Sequence, residues 1–133
     1  MKLKRKERNN MTKLTDLEIK KRLFAHKVYI LSNGKHGIKL NMEKCNLSGS
    51  DLSDSNLSYS NLSGSNLDYS CWGLSCKTLN VKIDKKIAVQ LLYHTMRAMQ
   101  SVDDKECKEF LRNKSNMKLV NQFHRVEECG EIT

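Results

Sequence analysis

The chain has 133 residues, of which 24 are Lys or Arg and 15 are Asp or Glu, for a formal net charge of +9. This length suits one domain. No apolar run reaches the ~18 residues of a membrane-spanning helix, and residues 1–10 lack the apolar centre of a secretion signal. Five cysteines and no proline fit a reducing compartment better than a disulfide framework. We therefore expect a single intracellular domain over residues 1–133, with no membrane segment.

The excess of positive charge lies at the N-terminus. Residues 1–39 carry 12 Lys or Arg and 3 acids, whereas residues 40–74 carry 1 and 4. Residues 1–10 are predicted to form a flexible basic arm, which either contacts the phosphates of a nucleic acid or only keeps the chain soluble. The basic residues of this arm are Lys2, Lys4, Arg5, Lys6 and Arg8.

Residues 11–34 are predicted to form a capping helix and the turn that ends it. Thr15 and Glu18 have the spacing of a capping box. Apolar residues recur at helical spacing, and we expect this stripe to pack on the open end of the segment that follows. Lys20 and Lys21 lie off the stripe, either as solvated residues or as contacts to a nucleic acid. The stripe consists of Leu17, Phe24, Val28 and Leu31.

A five-residue repeat follows this helix. Residues 45–69 read CNLSG SDLSD SNLSY SNLSG SNLDY, five blocks in which leucine is central and Asn or Asp precedes it. A small residue stands two positions before each leucine. Residues 40–44 form a weaker block, and after residue 69 only the small residue persists. The residues predicted to face inward are Met42, Leu47, Leu52, Leu57, Leu62, Leu67 and Trp72.

A period of five matches neither the 3.6 of a helix nor the 2.0 of a strand. Self-similarity at a fixed period indicates a repeat architecture, in which each unit buries its inward side chain by stacking on its neighbours. Ser and Asn suit the tight corners between such units because their side chains bond the local backbone. A disordered Ser/Asn-rich linker is the alternative, and five leucines in phase argue against it.

These blocks resemble the pentapeptide-repeat family, whose consensus is Ala-(Asp/Asn)-Leu-x-x with Ser or Cys able to replace Ala. The resemblance implies a short right-handed quadrilateral β-helix with four blocks per coil. Residues 38–83 are expected to form it, and the clear repeat supplies fewer than two full coils. The expected fold class is therefore a β-helix plus α, capped by the helix of residues 11–34 and by a C-terminal helical segment.

Residues 84–130 are predicted to be that second cap, formed by three helices. Capping residues precede three apolar patterns, near Asp84, Asp103 and Ser115, and Gly130 ends the last one. The ending of this segment, NQFHRVEECG at residues 121–130, together with His26 in the first helix, resembles small pentapeptide-repeat proteins encoded by bacteriophages. That resemblance implies a phage context and no particular chemistry.

Cysteine and histidine are the candidates for a chemical site. A zinc site needs four such ligands, but the two closest pairs are five residues apart, which on a helix separates the side chains by about 140°. We therefore expect no metal and no cofactor. No phosphate-binding loop or hydrolase motif is present, so we expect no enzymatic activity. The weak metal candidates are Cys71, Cys76, His124 and Cys129.

The outward positions of the repeat are the predicted binding surface. Tyrosine among small polar residues is common in binding sites, and aspartate adds modest negative charge. Because blocks four apart stack, Tyr69 is expected to share a face with Gly49, and Tyr59 to lie on the opposite one. The candidate binding residues are Tyr59, Tyr69, Asp54 and Asp68.

Together these features favour a non-enzymatic protein that acts by protein–protein interaction. The resemblance to phage proteins implies a location in the cytoplasm of a bacterial host. It also implies as partner a host or phage protein, for example a nucleic-acid-processing enzyme or a defence complex such as a CRISPR effector. One alternative is a small nucleic-acid-binding protein that uses the basic arm with Lys20 and Lys21. Another is a DNA mimic that modulates DNA gyrase, as the resemblance to longer pentapeptide β-helices implies. A homodimer is compatible with each of these functions.

Overall fold

The computed structural model describes residues 11–133, so the basic arm, with Lys2, Lys4, Arg5, Lys6 and Arg8, lies outside the described residues. The described chain divides into two compact units, residues 11–84 and Lys85–Thr133, where the sequence analysis expected one domain. The physical reason is that the C-terminal helices bury an apolar cluster of their own. No helix in the described part of the chain is long and apolar enough to cross a membrane.

In the first unit the repeat winds into coils of four blocks. Parallel bridges join Asn41 to Asn61 and Asn46 to Asn66, so residues 20 positions apart stack on each other. Each side of the coil is only five residues long and ends in corners, which is why the pairing consists of short bridges rather than long strands. A β-helix-type fold is therefore confirmed for this segment.

The predicted core of the coil is confirmed for six of its seven residues. Each side chain exposes 3% or less of its surface, because each stacks within the column of leucines along the coil. Two of the small residues, Ser60 and Ser65, are also buried, and their hydroxyls donate to leucine carbonyls at the corners. The confirmed core residues are Met42, Leu47, Leu52, Leu57, Leu62 and Leu67.

The six corners between residues 41 and 70 use the same two hydrogen bonds. The backbone N–H of the small residue donates to the carbonyl of the leucine or methionine three positions earlier, at 3.1–3.2 Å, closing a β-turn. The Asn or Asp before the leucine accepts the backbone N–H two positions later through its side chain, at 2.9–3.2 Å. The Asn-Leu-x-x pattern thus specifies a corner as well as a core residue.

The repeat slips by one residue after Cys71, and this corrects the prediction for Trp72. The N–H of Leu52 donates to the carbonyl of Cys71, 19 residues on, but the N–H of Leu57 donates to that of Lys77, 20 residues on. Thr78 therefore takes the next leucine position and is buried. Trp72 is only half-buried, because the extra residue interrupts the coil immediately after it.

The N-terminal segment begins with a strand rather than a helix. Strand β1 (Thr12–Lys13) pairs in parallel with β2 (Cys45–Asn46) and extends that side of the coil. Helix α1 spans Asp16–Leu31. Its N-cap Thr15 accepts the N–H of Glu18 at 3.1 Å, so the predicted capping residue is confirmed, while the prediction of helix from residue 11 is wrong.

The predicted apolar stripe of α1 does not face the repeat. Leu17, Phe24 and Leu31 expose 60%, 68% and 75% of their surfaces, and the buried residues of the helix are Ile19 and His26. The open end of the first coil presents unpaired backbone groups as well as apolar side chains. A polar side chain on the side of the helix that faces the coil can form hydrogen bonds with these groups, whereas an apolar stripe cannot.

The loop that returns from α1 to the repeat packs tightly on the helix. The N–H of Ile38 donates to the carbonyl of Ala25 at 3.1 Å. Gly37 has φ +76°, and a Cβ there would lie 2.3 Å from the same carbonyl oxygen. Glycine at this position is what allows the loop to deliver Leu40 to the first block.

The second unit has four helices where three were predicted. Helices α2 (Lys85–Met99) and α3 (Lys105–Arg112) agree with the first two. In place of the third predicted helix there are two shorter ones, α4 (Lys114–Val120) and α5 (Val126–Cys129). The chain turns between them and buries Phe123. The buried cluster of this unit consists of Val89, Tyr93, Met96, Val120, Phe123 and Ile132.

Candidate interaction surface

The corners of the coil are the positions that project outward in this unit. The third residue of each β-turn takes the left-handed conformation in all corners but that of Asp54, with φ between 55° and 74°. Glycine adopts this conformation readily, and other residues lose about 1 kcal/mol there. The left-handed corner residues of the repeat are Lys44, Gly49, Tyr59, Gly64 and Tyr69.

Tyr59 and Tyr69 are bulky residues in conformations that favour glycine. Their φ angles are 62° and 58°, and they expose 47% and 77% of their surfaces. Gly49 and Gly64 make the same turn in neighbouring corners, so the turn itself does not call for tyrosine. An exposed, bulky residue that the turn itself does not require suggests a contact beyond the turn.

The coil places the two tyrosines at different corners. Gly49 donates its N–H to the carbonyl of Asp68, so Tyr69 and Asp68 stack beside the Gly49 corner, as predicted. The Tyr59 corner lies two blocks away along a four-block coil and stacks on the corner of Asn80, which is also left-handed. The two tyrosines therefore face away from each other.

The acidic residues lie between these two corners. Asp54 occupies the corner between those of Tyr69 and Tyr59, on the sides that residues 50–59 form. In the same block, the hydroxyl and the backbone N–H of Ser53 donate to the Asp51 carboxylate, and these bonds hold the pKa of Asp51 below its ordinary value. This part of the coil surface thus presents the carboxylates of Asp51 and Asp54 beside the tyrosine corners.

A buried histidine joins α1 to the first coil. His26 is fully buried; its Nδ1 accepts the N–H of Leu40 at 3.0 Å, and its Nε2 lies 2.9 Å from the Ser58 carbonyl oxygen. Because Nδ1 accepts, the proton must be on Nε2, which donates to Ser58. Elsewhere in the coil such a carbonyl accepts a backbone N–H, as Ser63 does from Lys44. The imidazole takes the place of a backbone group that a further coil would supply.

Arg22 likewise bonds a backbone carbonyl of the first coil, on the neighbouring side of that coil. Its guanidinium donates to the Asn41 carbonyl at 3.1 Å. Burial lowers the pKa of His26, and nearby Lys39 lowers it further, while the hydrogen bond to Ser58 opposes the shift. Sequence reasoning assigned neither residue to this role. The signal that could have shown it is the seven-residue step from Ile19 to His26, the two buried residues of the helix.

The outer side of α1 carries the remaining predicted residues. Lys20 and Lys21 are exposed, on either side of the exposed row of Leu17, Phe24 and Leu31. The nucleic-acid prediction thus keeps these two lysines on an accessible surface, and its other five residues are outside the described part of the chain.

The cysteine and histidine candidates fall into different units. Cys71 and Cys76 belong to residues 11–84, and His124 and Cys129 to residues 85–133. Cys71, Cys76 and Cys129 are exposed free thiols. Within residues 11–133, no group of three or more His, Cys, Asp or Glu is placed so that it could hold a metal ion.

Comparison with known proteins agrees with the geometry of the coil. Residues 39–70 match the family model described as pentapeptide repeats (8 copies), which covers the blocks whose corners and core are set out above. No curated protein and no solved structure matches the chain. The chain therefore contains a pentapeptide-repeat segment, at residues 39–70.

Proposed function

We propose that this is a non-enzymatic protein that acts by binding another protein through the outward corners of its repeat. The observation that carries the proposal is the pair of exposed tyrosines in left-handed corner positions, at residues 59 and 69. Tyrosine supplies a large, rigid, amphipathic contact with little loss of conformational entropy. The neighbouring carboxylates, Asp54 and Asp68, add charge that orients a partner.

The other side chains of the coil support this assignment by their local roles. The Asn and Asp residues before each leucine accept backbone N–H groups of the turns, and the leucines fill the interior. The two tyrosines neither bond the turns in this way nor fill the interior. Tyr59 and Tyr69 face away from each other, so they do not form one pocket. The partner contacts one of these corners, or both, through an extended surface.

Helix α1 is assigned a structural part in this proposal. The bonds from His26 to Ser58 and from Arg22 to Asn41 support α1 as the cap of the first coil, where an open edge would otherwise pair with other chains. That the helices of residues 84–130 cap the other end stays a prediction.

For the partner, the proposal keeps the phage context that the ending of the chain resembles. A host nucleic-acid-processing enzyme or defence complex, such as a CRISPR effector in the bacterial cytoplasm, is the partner class that this resemblance favours. Gyrase modulation by DNA mimicry is less favoured, because three stacked layers at ~4.8 Å spacing reach only about 10 Å and the chain is basic overall.

The test is affinity capture of the tagged chain from a bacterial lysate, with and without nuclease. A stoichiometric protein that survives nuclease treatment supports the proposal. Capture of nucleic acid alone, lost in a chain without residues 1–10 and weakened steeply by salt, would instead establish the nucleic-acid alternative with the basic arm, Lys20 and Lys21.

Exchanging Tyr69 for glycine, or Tyr59 where that corner makes the contact, is expected to abolish capture and to leave stability nearly unchanged. Glycine relieves the left-handed strain and raises the entropy of the unfolded chain, so the free energy of unfolding should change by no more than about 1 kcal/mol. The matched control is Lys44→Gly, at a corner of the same conformation (φ 55°), which should keep the partner. Equal capture by wild type, Tyr69→Gly and Tyr59→Gly would remove the tyrosine corners from the interface.

A further inference from the structure

The outer side of α1 is an apolar row that the fold leaves uncovered. Leu17, Phe24 and Leu31 follow each other at intervals of seven, so they lie on one side of the helix within about 20° per step. They expose 60%, 68% and 75% of their surfaces. Single exposed apolar residues are ordinary, but an aligned row of three large ones marks a surface that associates.

Lysines border this row on both sides. At about 100° per residue, Lys20 and Lys27 lie within roughly 60° of the row on one side and Lys21 on the other. All three are exposed. The acids of the helix, Asp16 and Glu18, are confined to its first turn, so the rest of the outer side is apolar in the middle and cationic along both edges.

A groove continues the row on one side. It has a volume of about 400 Å³ and lies between the helix and the repeat. This size suits one or two large side chains and falls within the range of small binding pockets, about 300–1,000 Å³. The walls are formed by Leu23, Phe24, Ile30 and Leu31 from the helix and by Asp54 and Asn56 from the repeat.

We propose that the outer side of α1 docks an acidic amphipathic helix of a partner protein, with apolar residues on the row and carboxylates on the flanking lysines. This is the helix-on-helix form of recognition, in which apolar anchors recur every third, fourth or seventh residue. The proposal rests on the proposed function only in requiring a protein partner, since this surface includes neither tyrosine and shares only Asp54 with the tyrosine corners.

Charge complementarity selects this occupant over others. A second copy of α1 would place lysines against lysines, and residues 1–10 contain five basic residues and one acid, so like charges oppose both. A nucleic acid would satisfy the lysines and leave three large apolar side chains in water. A flat membrane surface would leave the concave groove between the helix and the repeat unfilled, whereas a partner helix can place a side chain in it.

The experiment measures binding of labelled three-heptad helical peptides to the full chain by fluorescence anisotropy. One peptide has leucine at every seventh position with glutamate on both flanks, and a second has lysine on the flanks. The glutamate peptide is expected to bind at least about tenfold more tightly. A triple variant, Leu17→Ser with Phe24→Ser and Leu31→Ser, should lose at least about tenfold in affinity, whereas Leu79→Ser, at a residue 58% exposed in the same unit, should not.

A charge exchange keeps the test decisive if the triple variant folds poorly. Lys20→Glu with Lys27→Glu should reverse the preference toward the lysine peptide, an outcome that no purely structural role predicts. Equal binding of the two peptides, or an unchanged preference in the charge variant, overturns the proposal. The proposal is also overturned if neither peptide binds, while anionic phospholipid vesicles or duplex DNA bind to the wild type and not to the triple variant. In that case a partner protein would still be captured through Tyr69, so the proposed function would stand although this further proposal had failed.

Discussion

Replacing His26 with alanine is expected to lower the free energy of unfolding of the repeat unit by about 4 kcal/mol. The imidazole is fully buried and satisfies two backbone groups, the N–H of Leu40 and the carbonyl of Ser58. A buried polar group left without its partner costs about 1–3 kcal/mol, and the variant leaves two of them beside a cavity. The loss arises where α1 contacts the first coil.

The measurement is denaturant unfolding followed by the fluorescence of Trp72. It is the single tryptophan of the chain and belongs to residues 11–84, so its signal reports on this unit. His36→Ala is the matched control, because His36 is exposed and bonds the Ser32 hydroxyl only through its own backbone N–H and carbonyl. A loss below about 1 kcal/mol in His26→Ala would show that α1 is not held by this residue.

The stability of the same unit should fall with pH below the ordinary histidine pKa. Burial lowers the pKa of His26 from 6.5, so the unfolded chain takes up a proton at a higher pH than the folded chain. The contribution is complete above pH 6.5 and is lost as the pH falls from there through the folded pKa. His26→Gln, which donates and accepts without titrating, should lack this part of the pH dependence. Parallel profiles for the two proteins would contradict the assignment.

The interior and the corners of the coil follow from local sequence, which is why they were predictable. Each block contains its own inward leucine, its own turn and the Asn or Asp that caps it, so no distant residue decides the conformation. The slip after Cys71 was not predictable. The blocks after residue 69 no longer contain the leucine that marks their register, so an extra residue between Cys71 and Lys77 cannot be seen in the sequence. Only the backbone pairing with Leu57 shows that Thr78, and not Lys77, occupies the next leucine position.

The orientation of α1 was mispredicted because hydrophobicity was the criterion. Leu17, Phe24 and Leu31 form a regular row, and such a row ordinarily faces a core. Here the surface to be covered has unpaired backbone groups, and His26 matches them better than leucine does. The tyrosine corners were predicted as outward positions, but their left-handed conformation, on which the proposed function depends, is a property of the coil that periodicity does not reveal.

Replacing Leu62 with alanine should destabilise the repeat unit by about 3–5 kcal/mol, the range for buried leucines. Leu62 is fully buried and lies in the middle layer of its column, with the block of Met42 on one side and that of Lys82 on the other. A repeat protein stabilises each layer only through its neighbours, so a cavity in the middle layer weakens two interfaces at once. The change takes away a large part of the roughly 4–11 kcal/mol expected for a unit of this size.

The comparison with two further variants makes this measurement specific. Leu62→Met conserves volume and should cost less than about 1.5 kcal/mol, and Leu79→Ala, at an exposed leucine of the same unit, should stay within about 0.5 kcal/mol. Unfolding is again followed by Trp72. If Leu62→Ala and Leu79→Ala lost equal stability, the leucine columns would not be what holds the coil together. Backbone hydrogen bonds, such as that from the N–H of Leu62 to the carbonyl of Lys82, also join successive coils. The leucine columns supply the apolar contact between those coils, and the stability of the unit should therefore follow their packing.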